Sequence, residues 1–568
     1  MSNKVGTEDT SLAILEAVKT GNRLAASNIL TNLDGTQKTY NALMYNWFKA
    51  NGVNAMTSAG LTELCGEWYE TTRDGWDGYT SFAQSDGSAL STGTKGGDNA
   101  NKSCAPSTDS TAGTDDYAGL PLFAIKNVNY IVDPETLDIV ITAIDGITDN
   151  YRQNDPDIYV GVMQMAGYHY FYEDENNYVH GYADHAVTAD YCQPLPEAVR
   201  TDGSMREFVV HSKYMNATVD GKMTSCAGLI PTAFLSHNTL HTLSAQNGSQ
   251  YSGSTVTDLA FLILMTYIKY ASLTLDGIMQ GCLNYNGQYY AQVAEEGVKR
   301  IIVPTSAIIE TGSSVLIGTY NGSSADRGTA ANYDVSTNTG AKVTAVETIT
   351  INETTYKAVY VDTDTFNTVA DGDAASGTTI VSTFHWPTGS TDTVLGNDGS
   401  PVSNADGKHP FKIQGIEAIV GGYEIIADCI MNIAAGTDEE TYYTPNVVRR
   451  SAQQATSITA NYEAVTDLAR VPCPASAGWQ YIKKMGFSNG VFFPVSAAGS
   501  SSTFTKDAFY MNAKGTTGTR EMLAFGNLFN GVALGGLSSL LGNCALSNAT
   551  WFFLARLSPN GNRGEWAA

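Results

Sequence analysis

Lys342 to Asp362 reads KVTAVETITINETTYKAVYVD, in which β-branched and aromatic residues alternate with polar ones on either side of Asn352. A period of two puts one set of side chains on each face of an extended strand, whereas a helix repeats its apolar positions about every 3.6 residues. The runs SSVLIGTYNG before it and TTIVSTFHW after it share this texture and are broken by Gly, Asn and Ser. Residues from about 301 to 385 therefore read as a small all-β module, a barrel or a sandwich.

Helical signals lie outside that module. SLAILEAVKTG carries Leu12, Leu15 and Val18 on one face, with Ser11 placed to cap and Gly21 to stop it. In TYNALMYNWFKANG, the residues Tyr40, Leu43, Met44, Trp47 and Phe48 form a broad apolar stripe, suited either to core packing or to docking another chain. TDLAFLILMTYIKYASL is apolar on all sides and reads as a buried helix. Between Ser85 and Asp116 large apolar residues almost vanish, as in a long surface loop or linker. From about 386 the chain offers short strands, a Tyr- and Ala-rich middle and a closing segment almost free of charge.

At 568 residues one core is too few, and two to four domains are expected. The 57 acidic residues against 32 basic ones give a formal charge of −25, which repels DNA and anionic lipid. Neither nucleic-acid binding nor membrane insertion is expected. The most apolar helical stretch, Leu259 to Ile268, stops at Lys269, short of the ~20 residues a bilayer requires. MSNKVGTEDTS has no apolar run, so no signal peptide is visible and synthesis in the cytoplasm is the expectation. The eight cysteines are scattered without a C-x-x-C pair and read as reduced, buried small residues.

Few residues suggest reaction chemistry. His237 and His241 stand four apart in SHNTLHTL, but the first is followed by Asn rather than the Glu of a zinc hydrolase, and no third ligand is near. His169, His180 and His185 lie in GYHYFYEDENNYVHGYADH, which reads as an exposed Tyr-rich loop, with a carbohydrate or cation pocket as the functional alternative. The acidic runs Glu173/Asp174/Glu175 and Glu439/Glu440 are of the residue type glycosidases use, yet nothing fixes their separation. There is no phosphate-binding loop, nucleophile elbow or dinucleotide fingerprint. No catalytic residue, metal or cofactor is expected.

FKIQGIEAIVGGYEIIADCIMNI, Phe411 to Ile433, resembles the strand-turn-strand RGIEN..GN.W.WVDGI of the C-type-lectin fold in its formylglycine-generating-enzyme-like branch, found in bacteriophage tail and fibre proteins. Gly415, Ile416, Glu417, Gly421, Asp428 and Ile430 match, while Glu424 and Ile426 replace the pattern's aromatic pair. GWQYIKKMGFSNGVFFPVSAAGSSSTFTKDAFY resembles the central section of that fold, and FGNLF through SNATWFFLARLS its closing strands, with Ser547, Trp551, Ala555, Arg556 and Leu557 on the fixed points. Upstream, KYMNATVDGKMTSCAGLIP and the apolar helix resemble its first half.

The resemblance implies an α+β multidomain chain. Residues 1–120 would be a helical and loop-rich docking or oligomerisation region, and 121–300 the first half of a lectin-like domain. Residues 301–385 would be an all-β insertion, and 386–568 the second half with a ligand-binding face. Gly415, Glu417, Asp428, Ser547, Trp551 and Arg556 would be structural.

It also implies a virion protein of the tail-fibre, receptor-binding type, a homotrimer that docks on other virion proteins through its N-terminal region and holds a host cell-surface protein or glycan. A head-decorating or structural virion protein is the alternative and a surface polysaccharide hydrolase the third reading. A formylglycine-generating oxidase is disfavoured because Cys544 has no second cysteine near it.

In phage proteins of this kind the closing segment is sometimes varied by a diversity-generating retroelement that randomises adenines in Asn-type codons. Such codons exclude Lys, Glu, Gln, Met and Trp; between Asn527 and Leu554 the first four are absent and the one Trp is Trp551, a fixed point of the fold. Avoidance of long charged side chains by buried strands gives the same composition. The ligand-contacting candidates on this reading are Asn527, Phe529, Asn530, Ala533, Leu534, Ser538, Leu540, Leu541, Asn543, Phe552 and Phe553.

Overall fold

Strand pairing dominates the backbone: in the computed structural model, 35% of residues are strand and 12% helix, gathered into many small antiparallel sheets. Residues 37–564 are described, except 85–87, 190, 324–326, 328–332, 337–338 and 371–373. The helix expected at 11–21 lies outside the described residues.

The N-terminal part is built on sheets. Helix α1 (Gln37–Ala50) buries Tyr40, Leu43, Met44, Trp47 and Phe48 in the main core. Trp68 Nε1 of α2 (Ser58–Thr72) donates to Tyr40 Oη at 2.6 Å. Helix α2 lies on strands Ile139–Ile144 and Phe208–Ser212, the outer and far members of a four-stranded antiparallel sheet completed by Lys126–Val132 and Tyr159–Met165. Each such apolar side chain taken out of water contributes roughly 1.5–3 kcal/mol, so the stripe of α1 belongs to the interior. The expected linker supplies strand Thr94–Gly97, at the edge of a five-stranded sheet with Asp77–Ala83, Asn177–Ala183, Tyr168–Glu173 and Tyr191–Pro194.

Helix α3 spans His237–Ala245 and α4 spans Val256–Tyr270. Thr255 and Asp258 close a capping box at the start of α4, and every residue from Val256 to Lys269 is buried. That all-round burial follows from an apolar circumference: α4 lies between the five-stranded sheet, the hairpin Lys484–Ser496 and the strand Tyr423–Ala435. Lys269 Nζ, fully enclosed, reaches Asp398 at 2.9 Å and Gln414 Oε1 at 2.9 Å.

Tyr423–Ala435 is the spine of an eight-stranded sheet. It pairs antiparallel with Thr441–Val448 and Gly518–Ala524, and its first residues pair in parallel with Phe553–Leu554. Ser252–Gly253 pairs with Leu557–Ser558, so segments on either side of residues 288–383 meet in one core.

Residues between 288 and 383 form a six-stranded antiparallel sheet of their own, with a separate cluster that includes Ile301, Val303, Val315, Ile317, Val359 and Val381. Its long hairpin turns at Asn352 and Glu353, both at positive φ (46° and 65°), the two-residue turn whose twist suits paired strands.

The expected α+β class with a helical N-terminal region is therefore corrected. Among the described residues there are four α-helices; of the two nearest the N-terminus, α2 lies on sheet and α1 packs on α2 through Tyr40, Trp47 and Trp68, so they share the main core rather than forming a region of their own. The many strands of two to four residues are too short to show a period in the sequence, which is why strand content was underread.

Candidate ligand-binding surface

After strand Gly518–Ala524 the chain leaves the sheet in a loop closed at its neck. Phe525 N donates to Ser539 O at 3.0 Å, and Gly536 N to Phe525 O at 2.9 Å. Inside the neck, Asn530 Oδ1 accepts from Asn527 N at 2.7 Å and Asn527 Oδ1 from Phe529 N at 3.1 Å. Gly531 N donates to Leu283 O at 3.0 Å, tying the loop to a distant segment. These bonds leave Phe529 outside: it is 51% exposed.

The Phe529 ring rests on Trp551 (centroids 6.1 Å) and stands edge-on to Phe552 (5.9 Å, 87°). Phe552 is half-buried and meets Trp551 at 5.2 Å and Tyr423 at 5.9 Å. Trp551 itself is buried, with the Arg327 guanidinium 4.7 Å over its ring and His385 Nε2 bonded to its carbonyl oxygen at 2.7 Å. Arg327 donates to Thr383 O at 2.7 Å, so the sheet of residues 288–383 supports this ring from beneath. A fixed aromatic base with one outward ring is suited to stack on a sugar face or an apolar side chain.

The candidates divide by burial. Phe529 and Asn543 are exposed, and Ala533, Leu534 and Phe552 partly so. Asn527, Asn530, Ser538, Leu540, Leu541 and Phe553 are buried, against the exposure expected of a binding face. The asparagines hold the loop together, Leu540–Leu541 sits between two strands of the large sheet, and Ser538 N donates to the buried Asp507 at 2.8 Å.

The residues expected to be structural are mostly interior. Gly415 has φ 76°, and a Cβ there would stand 2.5 Å from Ile125 Cδ1. Glu417 accepts from Thr391 Oγ1 at 2.9 Å, and burial, then the Asp392 charge, pushes it up to about 7. Asp428 pairs with Arg563 out of water and accepts from Val256 N at 2.9 Å. Arg556 reaches Glu424 and the carbonyl oxygens of Ser212, Lys213 and Glu417. Ser547 is exposed, and nothing in its packing explains a fixed position.

Of two histidine clusters, one is placed otherwise than the sequence suggests and the other, at His211, carries no sequence signal. His169 and His180 lie on paired strands, not on an exposed loop, and are stacked 13° apart with Nε2 to Nδ1 at 3.1 Å, enclosed by Phe487, Phe492 and Tyr267. Burial lowers both, His169 to about 3. His211 is bracketed by Asp258 at 2.9 Å and Glu197 at 3.3 Å. Burial opposes its charge, but those two partners outweigh it and lift His211 to about 9.

An acid-base trio of this type is what a catalytic site uses, yet the space beside it is about 10 Å³, at the threshold for a single water. His237, the first of the i, i+4 pair, is buried with Nε2 at 3.1 Å from Ala427 O. Among the described residues no group of three His, Cys, Asp or Glu is placed to hold a metal ion, and no helix is long and apolar enough to cross a membrane. No known protein family matches the chain, and no curated protein matches it.

Proposed function

We propose that this chain is an attachment protein of a bacteriophage particle that holds a host-surface protein or glycan on the face made by Phe529 and Phe552. The observation that carries the reading is the half-exposed Phe529 ring, held on a hydrogen-bonded loop over Trp551 and Phe552. The resemblance of Phe411 to Ile433 and of Phe525 to Ser558 to phage fibre proteins supports the biological setting.

The mechanism is recognition without turnover. An aromatic ring already fixed on its neighbours loses little rotamer freedom on binding, so its contact area converts efficiently into affinity. A single patch of two rings is small, and repetition in a homotrimer, docked on the particle through its N-terminal part, turns weak contacts into avidity. If the closing segment is diversified, Phe529, Ala533, Leu534, Asn543 and Phe552 are the positions able to vary without unfolding the loop.

The test is direct binding of the fluorescently labelled full chain to a panel of bacterial cells, beside Phe529→Ser and Phe552→Ser. The reading expects strain-specific binding that falls about tenfold or more in either variant while the unfolding temperature stays within about 2 °C. Absence of binding to every strain, or binding that both variants retain, overturns it.

A further inference from the structure

Three lysines converge on one cavity in a molecule whose formal charge is −25. The cavity holds about 150 Å³, room for several waters at roughly 30 Å³ each, and Lys126, Lys213 and Lys412 line it together with Asp145, Asp392 and Asn41. Lys126 and Asp145 are only partly buried and form its rim, whereas Lys213 and Lys412 are 4% and 8% exposed at its floor.

Charge there is incompletely matched. Asp392 is saturated: it takes Lys213 Nζ at 2.7 Å, Tyr214 Oη at 2.7 Å and Gln153 Nε2 at 2.6 Å. Asp145 faces Lys126 and accepts from Asn127 Nδ2 at 3.3 Å. That leaves the Lys412 ammonium without a carboxylate partner. Its one hydrogen bond among the described residues goes to Val394 O at 3.0 Å. Lys126 Nζ makes no hydrogen bond or ion pair among the described residues, and Asn41 Oδ1 is buried without a partner. The groups that line the void are three cations and two carboxylates; of the two further carboxylates near Lys412, Asp398 is paired with Lys269 and burial raises Glu417 to about 7.

Burying an ammonium without a counter-charge is costly. Burial, then the neighbouring Lys213 charge, pulls the Lys412 ammonium down to about 8, and burial lowers Lys126 as well. An anion seated between them would reverse that cost, since lysines serve as point-charge partners for phosphate and sulfate.

We infer that this cavity is a binding site for a small oxyanion, a phosphate or sulfate group, held by Lys126, Lys213 and Lys412. The group is either free or carried on a sugar, whose hydroxyl has a buried acceptor waiting in Asn41 Oδ1. The site is built from strands and loops of the core and shares no residue with the aromatic face, so it stands whether or not that face binds a host.

Calorimetric titration of the full chain with sodium sulfate and with sodium phosphate, at ionic strength held constant with chloride, tests it. Saturable binding of one ion per chain at about 0.1–10 mM is expected, weakened about tenfold or more in Lys126→Gln, whose partly exposed side chain can be exchanged without loss of fold. Lys412→Met gives a second reading: stability in chloride is kept or raised, and the stabilisation by sulfate seen in the parent chain is lost. Tighter binding of galactose 6-sulfate or glucose 6-phosphate than of the inorganic ions supports the site with a glycan as source, and equal or weaker binding supports it with the free anion. No saturable binding of either inorganic ion, or binding that Lys126→Gln leaves unchanged, overturns the inference.

Discussion

The Arg556 guanidinium holds the Glu424 carboxylate at 3.1 Å, with both side chains 4% exposed. The same guanidinium donates to Glu417 O at 2.6 Å and to Ser212 O and Lys213 O at 3.2 and 3.1 Å. One cation thus joins the closing segment to strands that precede it by more than a hundred residues. Removing it takes the counter-charge from a buried carboxylate, left with Ser254 Oγ, and one donor from each of three carbonyl oxygens, of which Lys213 O keeps Glu417 N. Arg556→Met is expected to cost about 3–5 kcal/mol in equilibrium denaturation, and Arg556→Met/Glu424→Leu to recover part of that loss. A loss below about 1 kcal/mol in the single variant contradicts the role given to this pair.

His169 and His180 make the fold acid-sensitive. Each is lowered in the folded chain by burial, so below the ordinary value near 6.5 the unfolded chain takes up protons that the fold refuses. The contribution is therefore complete at neutral pH and lost as pH falls below about 6.5, for His169 towards its folded value near 3, at up to roughly 1.4 kcal/mol per pH unit for each ring. Lys484, close to the pair, adds positive charge that sharpens the effect. Imidazole carbon-bound proton resonances checked by NMR should show neither ring titrating between pH 8 and 5. A midpoint near 6.5 for either contradicts the buried, stacked arrangement.

Glu521 works in the opposite direction. Burial pushes it up to about 8, and its carboxyl's one hydrogen bond among the described residues, from His237 N at 3.1 Å, only partly offsets this. A carboxyl raised in the fold supports stability below the unfolded value and withdraws it as pH rises through the folded one. Glu521→Gln keeps an acceptor for His237 N and removes the ionisation. It is expected to raise stability at pH 9 by about 1–2 kcal/mol, with little change at pH 5. Denaturation midpoints at the two pH values measure it, and an equal effect at both contradicts a raised carboxyl.

Local signals were legible in the sequence. The apolar stripe of Tyr40, Leu43, Met44, Trp47 and Phe48 is a helix face, and the all-round apolar run at 256–270 is a buried helix, because both periods are long enough to count. Glu424, read as a departure from an aromatic pattern, is the carboxylate that Arg556 needs, a pairing across 132 positions that no local pattern displays.

The same distance hid the lysine cavity, whose members come from residues 126, 213 and 412. Composition misled at the closing segment. Absence of charge there reports two environments, strand interiors at Leu540, Leu541 and Phe553 and an outward ring at Phe529, and only packing separates them. The fold class was misjudged for a related reason: strands of two to four residues, such as Leu540–Leu541 and Phe553–Leu554, acquire their identity from partners, not from periodicity.

Trp551 and Phe529 are in ring contact at 6.1 Å yet should respond in opposite ways to truncation. Trp551 is 3% exposed and carries the Arg327 guanidinium on one face and His385 on another side. Trp551→Ala opens a cavity beneath the loop and takes the ring from a buried guanidinium, so a loss of about 3–5 kcal/mol is expected. Phe529 has half its surface in water already, and its truncation forfeits two edge contacts at a cost of about 1 kcal/mol or less. Ligand binding should follow the reverse order once stability is allowed for: Phe529→Ala is expected to fold and fail to bind, because it removes the ring proposed to meet the ligand. Chemical denaturation and cell binding, measured on the same preparations, separate the two effects. A Phe529→Ala variant as unstable as Trp551→Ala would mean that the ring is part of the core, and the surface assigned to recognition would have to be sought elsewhere.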